Sequence, residues 1–76
     1  MIKLTSTANQ YQKEYQALSS DLPLASGTAT DTPNAYRFSY PTATGTRTDI
    51  IGNGASCLIA DTSEVQVFHD GSWYTL

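Results

Sequence analysis

The dipeptide Asp70-Gly71, set between two runs of β-forming residues, constrains this chain more than any other feature. Glu64-Val65-Gln66-Val67-Phe68-His69 precedes it and Ser72-Trp73-Tyr74-Thr75-Leu76 follows it. Asp and Gly tolerate positive φ at both central positions of a two-residue turn, whose twist matches that of the strands it joins. The pattern predicts a type I′ hairpin. Before it, the apolar run Ser56-Cys57-Leu58-Ile59-Ala60 is separated from Glu64 by Asp61-Thr62-Ser63. An Asp in such a turn can hydrogen-bond its own backbone two residues on. Residues 49–76 therefore read as an antiparallel β-meander, entered through the turn Gly52-Asn53-Gly54. Its expected core is Leu58, Val65, Val67, Phe68 and Trp73. Val65 and Val67 share a face taken as the buried one, which leaves Phe68 to pack on a helix or a neighbouring chain.

Residues 1–22 read differently. Leu4, Ala8, Tyr11, Tyr15, Leu18 and Leu22 recur at spacings of four and three, an apolar stripe of helical period. Gln10, Gln12, Lys13, Glu14 and Gln16 occupy the other face. Thr7 followed three residues later by Gln10 matches a capping box, and Ser19-Ser20-Asp21 with Pro23 supplies a stop. An amphipathic helix is predicted. So short a helix is marginal alone in water and needs something to pack against: the stripe lies on the chain's own core, or Leu4, Tyr11, Tyr15, Leu18 and Leu22 form an assembly interface.

Residues 23–48 are rich in Thr, Ser, Pro and Gly. They have little apolar surface to offset the entropy of ordering and read as an extended arm. Tyr36, Phe38 and Tyr40 alternate with Arg37 and Ser39, the period of a half-buried strand near 36–40, with Pro41 as its end. Arg47-Thr48-Asp49-Ile50-Ile51 reads as a second short strand. The expected fold is thus a small α+β, mainly β chain: an N-terminal helix, an arm and a C-terminal meander.

Composition narrows the function. The chain has 76 residues, four basic and seven acidic, for a net charge of −3. A chain of this size buries only about 60% of its unfolded surface, and small scaffolds usually add disulfides, metals or oligomerisation. One cysteine excludes an internal disulfide, and one His with one Cys falls short of the four ligands of a structural zinc site. Oligomerisation, or folding onto a larger partner, remains. The acidic balance opposes nucleic-acid binding. No apolar run is long enough for a membrane span, and Met1–Ser6 lacks the apolar stretch of a signal peptide. Cys57 and His69 are the one nucleophile–base pair to consider, but Cys57 sits in an apolar run and His69 precedes a turn, so no catalytic group is expected. Asp61, Glu64 and Asp70 supply too few oxygens for calcium, and no cofactor is expected. Tyr36, Tyr40, Trp73 and Tyr74 are needed first for a core or a subunit contact, and are candidates second for an aromatic ligand platform.

The segment from Gly54 to Leu76 resembles a short module of small structural proteins of tailed bacteriophages. The resemblance rests on an apolar strand leading to Asp61-Thr62, then Glu64-Val65, an alternating strand, Asp70-Gly71-Ser72 and Trp73. It implies a non-enzymatic virion component, assembled in the host cytoplasm: a head decoration, a head fibre, or a collar or tail accessory protein. Its expected partners are copies of itself and capsid, portal or tail proteins. Two rivals stand beside it. One is a carbohydrate-binding accessory module using the four aromatics; the other is a small phage-encoded inhibitor that engages a host protein through its acidic face.

Overall fold

The computed structural model describes residues 1–7 and 9–76. Its elements are β1 (Lys3–Ser6), β2 (Glu14–Ala17), a 3-10 turn (Ser19–Asp21), β3 (Thr28–Ala29), β4 (Tyr36–Thr42), β5 (Gly45–Ile51), β6 (Ser56–Ile59), β7 (Glu64–His69) and β8 (Ser72–Thr75). They form two sheets: a five-stranded sheet A in the order β1-β2-β6-β7-β8, and a three-stranded sheet B in the order β3-β4-β5.

Among the described residues the predicted N-terminal helix is absent; two strands stand in its place. Glu14-Tyr15-Gln16-Ala17 satisfies a period of two as well as it satisfies a helical stripe, and Tyr15 and Ala17 are buried while Glu14 and Gln16 are exposed. The choice is made by a distant partner. β2 lies parallel to β6, with Tyr15 opposite Cys57 and Ala17 opposite Ile59, so it becomes a central strand of sheet A. β1 pairs antiparallel to its other side. The expected stop, Ser19-Ser20-Asp21, survives as the 3-10 turn, where Asp21 accepts a hydrogen bond from the Leu18 N–H. Ala8, part of the predicted stripe, lies outside the described residues.

The meander follows its predicted course. β6, β7 and β8 pair antiparallel, and the β7–β8 turn has positive φ at Asp70 (47°) and Gly71 (91°), as a type I′ turn requires. Its buried face is the opposite of the expected one. Phe68 is fully buried and Val65 and Val67 are half-buried on the other side, because sheet B covers the Phe68 face. Leu58 pairs with Val65 and is therefore carried outward as well.

Residues 23–48 are not a free arm. β4 and β5 form a long hairpin with Thr42 opposite Gly45, and β3 adds to β4 at Tyr36 and Arg37. Pro41 does not end β4. It sits within the strand opposite Thr46, beyond the reach of β3, so nothing on its outer side requires the N–H it lacks. The run before β3 is tied to sheet A: the Trp73 indole N–H donates to the Ala25 carbonyl at 3.1 Å, and the Gly27 N–H to the Gly71 carbonyl at 2.8 Å. A Cβ on Gly27 would fall 2.6 Å from Phe68 Cζ and 2.9 Å from Tyr36 Cβ. Gly27→Ala is therefore expected to destabilise the fold by about 1–3 kcal/mol through overpacking, read as a lower midpoint in urea denaturation.

Between the sheets lies an aromatic core. Tyr15 meets Phe38 edge-on with ring centroids 5.3 Å apart, Phe38 lies 5.2 Å from Trp73, and Trp73 lies 5.2 Å from Phe68. Such T-shaped pairs add about 0.5–1.5 kcal/mol beyond their area burial. Ile51, Ile59 and Cys57 fill the remaining interior. Asn53 ties the turns together: its N–H donates to Asn34 Oδ1, and its side chain exchanges hydrogen bonds with Asp70.

Candidate functional site

Two features stand out from the packing: a buried carboxylate and an uncovered sheet face. The carboxylate is Asp49, 8% exposed on the inner side of β5. Its Oδ2 accepts hydrogen bonds from the hydroxyls of Tyr15 and Tyr40, each at 2.8 Å, and its Oδ1 accepts one from Arg47 Nε at 2.9 Å. Strand alternation puts Arg47 and Asp49 on the same side of β5, which is why residues two apart can pair. Burial alone would raise the Asp49 pKa; the hydrogen bonds from Arg47, Tyr15 and Tyr40 and the Arg47 charge outweigh it and hold the carboxyl below its ordinary range. Burial and the Asp49 contact push Tyr40 from 10.0 up to about 12 and raise Tyr15 further still.

These shifts bound stability from both ends. The folded Asp49 pKa lies below its unfolded value of about 3.9, so its contribution is complete above that value and is lost as pH falls through the folded pKa. The folded Tyr40 pKa lies above its unfolded value, so its contribution is complete below about 10 and is lost as pH rises toward about 12. Tyr15 and Cys57, also raised, act in the same sense, the thiol from about 9 upward, so the expected melting midpoint falls at the acid limit and from about pH 9 on the alkaline side. Tyr40→Phe should make the alkaline limb shallower without abolishing it, because Tyr15 and Cys57 still contribute, measured by thermal denaturation across pH.

The second feature is the outer face of sheet A. Leu58 and Val65 are paired, and the Leu76 N–H donates to the Val65 carbonyl at 2.9 Å; this makes a row of three apolar residues across β6, β7 and the end of β8. Val67 and Tyr74 make the next row. Leu58 is 43% exposed and Tyr74 57%. On the β1–β2 side the same face carries Lys3, Glu14 and Gln16, so its fixed charges cancel although the chain as a whole is negative.

The residues singled out from sequence scatter over these features. Of the expected assembly stripe, Tyr15 is a core residue bound to Asp49, and Leu4 and Leu22 pack against the core. Tyr11 is half-buried, and only Leu18 is well exposed. The stripe is broken because a strand sends neighbouring residues to opposite faces, whereas a helix would have aligned them. Of the expected module core, Phe68 and Trp73 belong to the interior, while Leu58, Val65 and Val67 form the outer face. The four aromatics do not make a platform: Tyr40 is buried, Tyr36 packs edge-on against Phe68, Trp73 lies in the core, and Tyr74 is alone on the far side of sheet A. Cys57 points inward, its thiol pushed up to about 11 by burial, and His69 lies exposed on the opposite face beside Asp70. The structure does not bring this pair together. Asp49 was missed as a site residue; its signal is an Arg and an Asp two apart in a strand that continues to a buried Ile51.

Among the described residues no three His, Cys, Asp or Glu side chains cluster to hold a metal ion, and no helix is long and apolar enough to cross a membrane. Comparison with known protein families, curated proteins and solved structures finds no match for this chain.

Proposed function

We propose that the chain is a non-enzymatic structural subunit of a tailed-bacteriophage virion: a head decoration, head fibre, or collar or tail accessory protein that assembles with copies of itself. The observation that carries the assembly reading is the apolar outer face of sheet A, with Leu58, Val65, Val67 and Tyr74 in adjacent rows. Contiguous exposed apolar surface marks interaction sites. The virion setting rests on the resemblance of residues 54–76 to the phage module.

A second copy is the favoured occupant. Lys3 and Glu14 leave the face without net charge, so two copies meet there without the repulsion their overall −3 would otherwise impose. The face is also small. Five strands at about 4.8 Å spacing and four residues at about 3.3 Å each project on the order of 300 Å², well below the roughly 800 Å² per partner of a standard stable interface. One contact is weak, and stable assembly comes from repeating it across an array.

Composition of the particle tests the virion setting. Peptides of this chain should appear in mass spectra of gradient-purified particles of the phage that encodes it, at a copy number fixed from one preparation to the next. Their absence from particles, with the chain abundant in the infected cell, overturns the reading. Leu58→Lys places a charge in the middle of the face and is expected to abolish self-association while leaving the circular dichroism spectrum unchanged.

A further inference from the structure

A groove of about 360 Å³ lies between β1 and the β4–β5 hairpin, at the open seam of the two sheets. Ile2, Leu4 and Tyr40 give it an apolar floor, and Lys3, Thr42 and Arg47 stand at its rim. Two of the four basic residues of the chain therefore border one groove, and among the described residues no acidic side chain lines it.

Arg47 is held in place there. Its Nε is fixed on Asp49, whose two oxygens are already engaged by Arg47 and both tyrosines. Its side chain is 55% exposed, and among the described residues its terminal nitrogens have no hydrogen-bond partner. A guanidinium fixed at one end and open at the other is set to receive a second carboxylate, because its donors form a rigid fork that matches carboxylate geometry. One wall of the groove is β1, an edge strand whose sheet neighbour among the described residues is β2. An edge strand beside an apolar floor is the geometry by which extended peptides add to a sheet: main-chain hydrogen bonds give affinity and alternate side chains give specificity.

We infer that this groove is a docking site for an extended segment of another protein in which one carboxylate is flanked by apolar residues. The segment adds alongside β1 at Lys3 and Leu4, lays its apolar side chains on Ile2, Leu4 and Tyr40, and presents its carboxylate to Arg47 with Lys3 nearby. A broadly acidic segment is disfavoured by the −3 charge of the rest of the chain, so the selected sequence is apolar with a single acid. The groove shares Lys3 with the polar margin of the outer face of sheet A, but none of its other lining residues belongs to the apolar rows of Leu58, Val65, Val67 and Tyr74.

The test is an NMR titration of the ¹⁵N-labelled full chain with two acetylated, amidated peptides, Thr-Val-Glu-Val-Thr and Thr-Val-Gln-Val-Thr. It is repeated on Leu58→Lys, so that the result is independent of self-association. The expected result is shifts confined to Ile2–Leu4, Tyr40–Thr42 and Arg47, with the Gln peptide at least about tenfold weaker because it loses the charge-assisted pair. Arg47→Gln is expected to erase the preference for Glu. Because that variant also loosens Asp49, the exposed Lys3→Gln is measured beside it and should weaken the Glu peptide by a few fold with the spectrum otherwise intact. Equal binding of the two peptides, shifts centred elsewhere, or no binding of either overturns the proposal.

Discussion

Phe38→Ala is expected to leave the chain largely unfolded at room temperature. Phe38 is fully buried at the centre of the core and touches the rings of Tyr15, Tyr40 and Trp73. Removing a buried phenyl ring costs about 3–5 kcal/mol, the transfer of the ring plus the cavity left behind. At roughly 0.05–0.15 kcal/mol per residue, a 76-residue chain has about 4–11 kcal/mol in reserve, and a chain this small sits at the low end. Three aromatic neighbours from two sheets cannot collapse into the gap without giving up their own edge-on contacts. Far-UV circular dichroism with Trp73 fluorescence reads the outcome. A cooperative transition within about 1 kcal/mol of the wild type would contradict this description of the core.

Asp49→Ala ranks second. It removes the acceptor of two buried phenols and the partner of Arg47 in one step. Each unsatisfied buried hydroxyl costs about 1–3 kcal/mol, so the loss is about 2–6 kcal/mol. Arg47 is half exposed and rehydrates at little cost, so it adds little to that figure. Asp49→Asn keeps a carbonyl oxygen with two lone pairs and should recover a large part of the loss. Adding Tyr15→Phe and Tyr40→Phe to Asp49→Ala removes the orphaned hydroxyls and should also restore stability, since deleting both partners of a buried hydrogen bond is far milder than deleting one. Urea denaturation of the series decides. If the alanine variant alone matches the wild type, or the two phenylalanine changes lower stability further, the carboxylate does not organise this core.

How much of this was readable in advance depends on how local the cause was. The β7–β8 hairpin was legible because Asp70-Gly71 determines its own geometry, and both residues adopt the positive φ that the dipeptide favours. The alternation of Tyr36, Phe38 and Tyr40 correctly marked a half-buried strand. Pro41 misled, because a proline ends only a strand that needs its N–H, and at Pro41 β4 is free on its outer side, beyond the reach of β3. β1 and β2 were misread for a different reason. Four-residue strands offer two turns of alternation at most, and Tyr15 and Leu18 suit a helical stripe equally well; what decides is the parallel pairing with β6, some forty residues away.

The same non-locality reversed the faces of the meander. β7 is apolar on both sides, with Val65 and Val67 on one and Phe68 on the other, so its own pattern cannot say which is covered. That depends on where sheet B docks, and sheet B comes from the segment whose composition suggested an arm. The candidate assembly surface inherits this reversal. The residues expected to associate, Tyr15 above all, became core, and residues expected to be core, Leu58, Val65 and Val67, became surface.

Copies of this chain are proposed to associate through the outer face of sheet A. The most direct measurement is the molar mass in solution, followed by light scattering or sedimentation velocity as protein concentration is raised from micromolar to millimolar. The expected result is a mass that climbs above the 8.2 kDa of a single chain with increasing concentration, and that stays at the single-chain value for Leu58→Lys. A wild-type chain that remains at 8.2 kDa throughout, folded and monomeric, would contradict the account.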